Sequence, residues 1–425
     1  MIPDSGVAAP GRVVVTDGEF KHTLGIVRAL AARGHEVHVV AQSSRAPSVH
    51  SKAVRAWHTA PAPSAAGYDA RLVEIATGLS PVSVVAVGNG SVAAADRLRD
   101  AWPKGVRCAL PPGEAFAIAN DKARTGEIAR ASGVRTPRER VVEDEAAARA
   151  ALAEFGSPLV LKSAREEGRK VVRYVRDQAE LAEAFHDVRT RSSAGVLAQE
   201  YIGGDGWGFS ALYWHGRRVR HFMHRRVREW PPSGGASACA ESVPEFPELE
   251  HAGTALLDAL KWHGVAMVEF KGSRAPHPDP AARSDGVGMS ANRPSPDPPL
   301  DTAMKPAPAS ASLALMEINA KFWGSHDAAL ASGVNFPSDL VALMEGRELP
   351  PQVPYPPMRI SWPLGGDLWH GLFQPTALIP VLRDALSPAV AHTWRADDPG
   401  PTWRELLQWA RSAPGAWREF ASTRR

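Results

Sequence analysis

An apolar run, Leu313-Ala314-Leu315-Met316, leads directly into Glu317-Ile318-Asn319-Ala320-Lys321. This junction restricts the fold more than any other stretch of the chain. The apolar run reads as a buried strand. In an extended chain alternate residues share a face, so Glu317, Asn319 and Lys321 point the same way from one strand end. A carboxylate and an amide oxygen are hard donors suited to Mg2+, which usually also binds substrate phosphates. A cation two residues further on can hold a phosphoryl oxygen. Taken alone, the pattern is more simply the solvated end of a strand. It gains meaning from residues elsewhere.

The 425 residues allow two or three domains, and ordinary apolar content allows sizeable cores. A formal charge of +3 is near balance, and nothing resembles a nucleic-acid-binding basic arm. Cys108 and Cys239 cannot build a disulfide framework or a zinc site. A reducing, cytoplasmic setting fits. Met1 to Arg12 lacks the pattern of a signal peptide, and no apolar run approaches membrane-spanning length.

The N-terminal region, residues 1–115, reads as an open α/β domain. A β-branched run at Arg12–Thr16, a helical pattern through Leu24, Val27 and Ala31, and a strand at Glu36–Ala41 form a βαβ unit. Its first turn, Thr16-Asp17-Gly18-Glu19, lacks the dinucleotide-binding glycines. Residues 116–350 alternate short strands and helices. Lys122 begins a helix and Lys162 ends a strand. Gln199-Glu200-Tyr201-Ile202 runs into a glycine turn. Phe209–Trp214 and Val219–Met223 form a hairpin around His215-Gly216, and Glu269 lies in the strand Val265–Lys271. Residues 273–312 are rich in Pro, Ala, Ser and Asp. Such a segment buries too little to offset ordering entropy and is expected to be a disordered insertion between two strands. Residues 351–425 are Trp-rich. Trp403, Leu406, Leu407 and Ala410 fall at amphipathic helical spacing, and a helical extension is expected there.

The ordered set Lys122, Lys162, Gln199-Glu200-Tyr201-Ile202, Glu269 and Glu317-x-Asn319-x-Lys321 resembles the ATP-grasp superfamily of carboxylate–amine ligases, over roughly Asn120 to Gly346. The resemblance implies an α/β domain preceding an ATP-grasp fold of two α+β lobes. It also implies ATP and Mg2+ (or Mn2+) as cofactors. Lys122 and Lys162 would then bind ATP phosphates, as ammonium point charges can. The backbone of Glu200 and Ile202 would read adenine with Tyr201 packed beside it, and Asp205 is a candidate for the ribose. Glu269, Glu317 and Asn319 would hold the metal. Lys321 would face the transferred phosphoryl group, where the family usually has Arg, so the bidentate fork is lost.

The segment Ser163–Arg169 is poor in glycine where relatives carry a glycine-rich flap. Arg165, Arg169 or Lys170 would supply its contacts instead. The cationic stretch His221–Arg228 runs into a Gly/Ser loop. Only alternate arginines can face one site: Arg226 with Arg228, or Arg225 alone, binding a substrate carboxylate. Amides of Gly234 and Gly235 are candidates for an oxyanion site. The expected reaction joins a small-molecule carboxylate to an amine through an acyl phosphate. The alternatives are a carboxylase or carbamoyl-phosphate-like enzyme, or a nucleotide-binding module without turnover. No nucleic-acid or membrane partner is expected, and a homodimer fits the Trp-rich end.

Overall fold

A computed structural model describes residues 11–164, 172–232, 235–273 and 313–423. The first sheet is wholly parallel. Its strands are β1 (Arg12–Val15), β2 (Glu36–Ala41), β3 (Ala56–Thr59), β4 (Val82–Val85) and β5 (Val106–Cys108), in the order β3-β2-β1-β4-β5. Val13, Val14 and Val15 have no exposed surface, as in a sheet covered on both faces. The helices α1 (Lys21–Ala31), α2 (Tyr68–Gly78) and α3 (Asn89–Arg97) join the strands. Strand order reverses between β1 and β4, which leaves a crevice at their carboxyl ends, where α1 and α3 begin.

Two short helices follow, α4 (Gly113–Ala119) and α5 (Lys122–Ala131). Asp121 caps α5 by accepting hydrogen bonds from the amides of Ala123 and Arg124. The second sheet is antiparallel: β6 (Glu139–Val142), β7 (Leu159–Ser163), β8 (Val172–Val175) and β9 (Val196–Glu200), ordered β6-β9-β7-β8. The helices α6 (Glu145–Phe155) and α7 (Gln178–Arg191) cover one face, burying Leu159, Leu161, Val175 and Ala198. The register puts Lys162, Tyr174 and Gln199 on the other face.

The third sheet holds seven strands in the order β14-β13-β10-β11-β12-β15-β16. They are β10 (Asp205–Trp214), β11 (Arg217–Trp230), β12 (Ala236–Ser242), β13 (Gly264–Gly272), β14 (Ala314–Asn319), β15 (Arg359–Ser361) and β16 (Val390–His392). One face packs Phe209, Met223, Val268 and Phe270 beside α8 (Pro247–Ala259). The other packs Leu212, Phe222 and Met267 against α9 (His326–Ala331), α10 (Phe336–Met344) and α1, burying Phe322 and Trp323. The chain ends in α11 (Leu368–Phe373), α12 (Pro375–Leu386) and α13 (Gly400–Thr423).

The structure differs from the sequence reading in two places. The hairpin strands run well beyond Phe209–Trp214 and Val219–Met223, because alternating polar residues continue to pair across them. The C-terminal region is not only helical. It contributes β15 and β16, and β15 pairs with the edge of β12, whose backbone groups need partners. The proposed insertion and the segment Arg165–Lys170 lie outside the described residues. On either side of that insertion, β13 and β14 pair antiparallel. No helix among the described residues is long and apolar enough to cross a membrane.

Candidate active site

Directly opposed residues of an antiparallel sheet share a face. His224 of β11 lies opposite Gly208 of β10, Gly208 opposite Glu269 of β13, and Glu269 opposite Glu317 of β14. One row across four strands therefore reads His, Gly, Glu, Glu. Asn319 stands two residues beyond Glu317 and donates its side-chain amide to Glu317 Oε1 at 3.2 Å. Lys271 stands two residues from Glu269 on the same face.

The glycines in β10 make this row feasible. A Cβ on Gly208 would lie 2.1 Å from the His224 ring, and one on Gly206 would lie 2.9 Å from Arg226 Cδ. Both side chains thus lie across β10, toward the carboxylates. Arg226 reaches Glu269 at 2.5 Å and Glu229 at 3.0 Å. Burial works against its charge, but Glu269 and Glu229 more than restore it, so its pKa is raised. Its Nε is buried and, among the described residues, has no hydrogen-bond partner. His224 is fully buried, which pushes its pKa down to about 3, and the Arg226 charge adds to the effect. It is a neutral imidazole, with Nε2 3.0 Å from the Ser325 hydroxyl.

Two carboxylates directly opposed on adjacent strands repel unless a cation sits between or beside them. Arg226 satisfies part of that requirement for Glu269. Among the described residues no three of His, Cys, Asp and Glu form a metal cluster. Two carboxylates and an amide do fit an ion that takes its remaining oxygens from phosphates and water, as Mg2+ does.

A cleft beside β14 gathers Glu317, Asn319, Lys321, Lys122 and Asn89. Asn89 begins α3, so this cleft opens onto the crevice of the parallel sheet. Lys321 and the buried His22 of α1 are close enough for their charges to interact. Across the molecule, Tyr201 links the two antiparallel sheets. Its ring meets Tyr174 of β8 edge-on at 6.0 Å, and the Lys271 ammonium lies 5.3 Å from its centroid. Burial pushes the Lys271 pKa down. Lys162 donates to Gln199 Oε1 at 3.0 Å on the same face of its sheet as Tyr174. Ile202 is buried.

Other anticipated residues stand differently. Arg228 does not share a face with Arg226, contrary to the alternation expected from sequence. Two successive register shifts set Arg226 opposite Ala240 but Arg228 opposite Cys239, and such a bulge turns the later side chain to the other face. Arg228 is instead held by Asp367 and Asp384. Asp205 pairs with Arg225 at 3.1 Å, and the Glu200 carboxylate pairs with Arg138 at 3.2 Å. The Gly235 carbonyl accepts from Arg226 at 3.3 Å, while Gly234 lies outside the described residues. Sequence reasoning missed His224, Asn89 and Lys271 as members of the site. Lys271 was within reach, being two residues from Glu269 on a strand.

No family model matches the chain. A D-alanine–D-alanine ligase of Nitrosospira multiformis is 36% identical over 90 residues, which is 21% of this chain and 29% of that protein. One from Pseudomonas entomophila is 35% identical over 98 residues, 23% of this chain and 30% of its own. The matched stretch spans less than a third of these relatives. Among solved structures, the biotin carboxylase domain of Hydrogenobacter thermophilus 2-oxoglutarate carboxylase superposes with a TM-score of 0.60 at 16% identity. It covers 81% of this chain and 72% of that one. N5-carboxyaminoimidazole ribonucleotide synthetase of Thermus thermophilus gives a TM-score of 0.57 at 17% identity, covering 82% of each chain. Such identities speak for the fold alone: over about four fifths of its length the chain shares the fold of these two enzymes.

Proposed function

We propose that the protein is an ATP- and Mg2+-dependent, ADP-forming ligase that joins a carboxylate to an amine. The observation that carries this reading is the direct opposition of Glu269 and Glu317, with Asn319, Lys321 and Lys122 gathered beside them. Residues 1–115 form the preceding α/β domain in this reading, residues 116–350 the two ATP-grasp lobes, and residues 351–425 a closing extension. The sequence similarity to D-alanine–D-alanine ligases favours an amine as acceptor.

The nucleotide lies between the two antiparallel sheets. Tyr201 packs on its base, and Lys162 and Lys122 hold its phosphates. Glu269, Glu317 and Asn319 are the residues that would hold Mg2+, which when bound offsets phosphate charge. The substrate carboxylate attacks the γ-phosphorus. A bond forms from carboxylate oxygen to phosphorus, the bond to the β–γ bridging oxygen breaks, and ADP leaves. Lys321 stabilises the phosphoryl oxygens during this transfer. Arg226 orients the carboxylate. An amine lone pair then attacks the acyl carbon, inorganic phosphate departs with the bonding pair, and the amine loses a proton. The protein contributes chiefly by positioning reactants and neutralising charge.

Mg-dependent ADP release, measured over a panel of carboxylates with and without amines, tests the reading. ADP release that requires both substrates supports it. Release with bicarbonate alone would instead identify a carboxylase. Nucleotide binding with no release under any pairing would leave only a binding module.

A further inference from the structure

A second concave site lies at the far end of the hairpin from the acidic row. It is an open cavity of about 530 Å³ between the edge of the parallel sheet and the β10–β11 turn. Gly208 and His215 are separated along β10 by a span of roughly 20 Å at the usual rise of an extended strand. The cavity is therefore separate from the nucleotide cleft.

The lining carries four basic side chains, Arg99, His215, Lys261 and His263, and includes Leu110. Arg99 is fixed by Asp96 at 2.5 Å and by the Pro111 carbonyl at 2.6 Å. Lys261 is exposed. The His215 backbone amide donates to His263 Nδ1 at 3.1 Å. The His263 proton therefore sits on Nε2, which is left as a donor. The Trp214 ring packs against His263 at a tilt of 36°, with ring centroids 4.4 Å apart, which holds the imidazole in place.

Two of these basic residues occupy strained backbone positions. His215 has φ 49° as the first residue of a tight hairpin turn, and Lys261 has φ 46° just after α8. Glycine or asparagine adopts these conformations without penalty and is the usual choice at both places. The chain instead keeps a basic side chain at each, and both line the same cavity. Strain retained at a ligand site is a recurrent pattern.

We infer that this cavity is a binding site for a small anion bearing phosphate or carboxylate groups, held by Lys261, His263, His215 and Arg99. Burial, with the neighbouring His215 and Arg99, pushes the His263 pKa down to about 4. The ring is thus a neutral donor near pH 7, and an anion bound beside it favours its protonated form.

The test uses the full chain carrying Glu317→Gln, so that anion affinity at the nucleotide cleft is the same in all arms. Inorganic pyrophosphate and citrate are titrated by calorimetry into this protein, and into the same protein with Lys261→Gly and His263→Gln added. The expected result is saturable binding of at least one anion, with affinity at least tenfold weaker in the added variants. Pyrophosphate alone marks a phosphate ligand, and citrate alone a carboxylate. Lys261→Gly by itself removes an exposed cation and relieves the strained backbone. It should weaken binding several-fold while leaving the thermal midpoint unchanged or raised. Equal affinity in all proteins, or no saturable binding of either anion, overturns the assignment.

Discussion

Arg226 and Arg228 stand two residues apart on β11 and both meet two carboxylates, yet they serve opposite ends. Arg228 is held by Asp367 through two hydrogen bonds of 2.6 and 2.8 Å and by Asp384 at 2.7 Å. Ser361 also donates to Asp367, whose side chain has no exposed surface. The cluster is closed, and it fastens the C-terminal region to the central sheet. Arg226 lies on the other face, paired with Glu269, which stands opposite Glu317, and among the described residues its Nε has no partner. The same residue types therefore build a fastener on one face and the proposed reaction site on the other. What separates them is whether hydrogen-bonding capacity is left over for a ligand.

The largest expected effect comes from opening the closed cluster. Asp367→Ala strands Arg228 with one carboxylate and should destabilise the fold by about 3–5 kcal/mol. Denaturant unfolding would show it, and a loss under about 1 kcal/mol would mean that the cluster does not fasten the C-terminal region. Glu317→Gln should do the reverse. ADP release falls roughly 100-fold or more, equivalent to about 2.7 kcal/mol of barrier, while unfolding is little changed. Normal turnover in that variant would remove Glu317 from the site.

Gly208→Ala probes the open face more gently. Its methyl group collides with the His224 ring, so overpacking should cost about 1–3 kcal/mol and ADP release should drop as the row is displaced. A crystal structure showing His224 unmoved would contradict the close packing described here.

The effect that is smallest at neutral pH, and grows only on acidification, is in the pH dependence of stability. His22, His224 and His326 are buried, and desolvation pushes each pKa down to about 3. Their folded-state values lie below the ordinary value of 6.5, so the unfolded chain binds more protons between those limits. Stability contributed by the neutral rings is present above about pH 6.5 and is lost as pH falls toward 3. Each ring contributes a slope of about 1.4 kcal/mol per pH unit in that window. Asp327 and Glu405, raised by burial to about 6 and about 7, act in the opposite sense, losing stability as pH rises from their ordinary values. Replacing His326 with Leu should remove one imidazole's slope. An unchanged unfolding profile between pH 4 and 6 would show that His326 is not buried neutral.

The shared face of Glu317 and Asn319 was legible because period-two alternation is local, whereas Lys321 lies beyond the end of β14 at Asn319. The parallel sheet was legible from β-branched runs separated by one helical pattern. The role of Arg228 was not, because a bulge depends on how β11 and β12 register, and that is settled by partners such as Cys239 and Asp384 far along the chain. His224 gave no sequence signal either. Its place beside Glu269 depends on a glycine in a neighbouring strand.

The amino-acid order by itself determined which segments become strands and which side chains leave each strand together, since both follow from backbone geometry and local apolar pattern. Only the tertiary structure decided which carboxylate each arginine meets and which of these groups keep bonding capacity to spare. Those outcomes depend on pairing register and burial between distant segments, and a linear pattern carries neither.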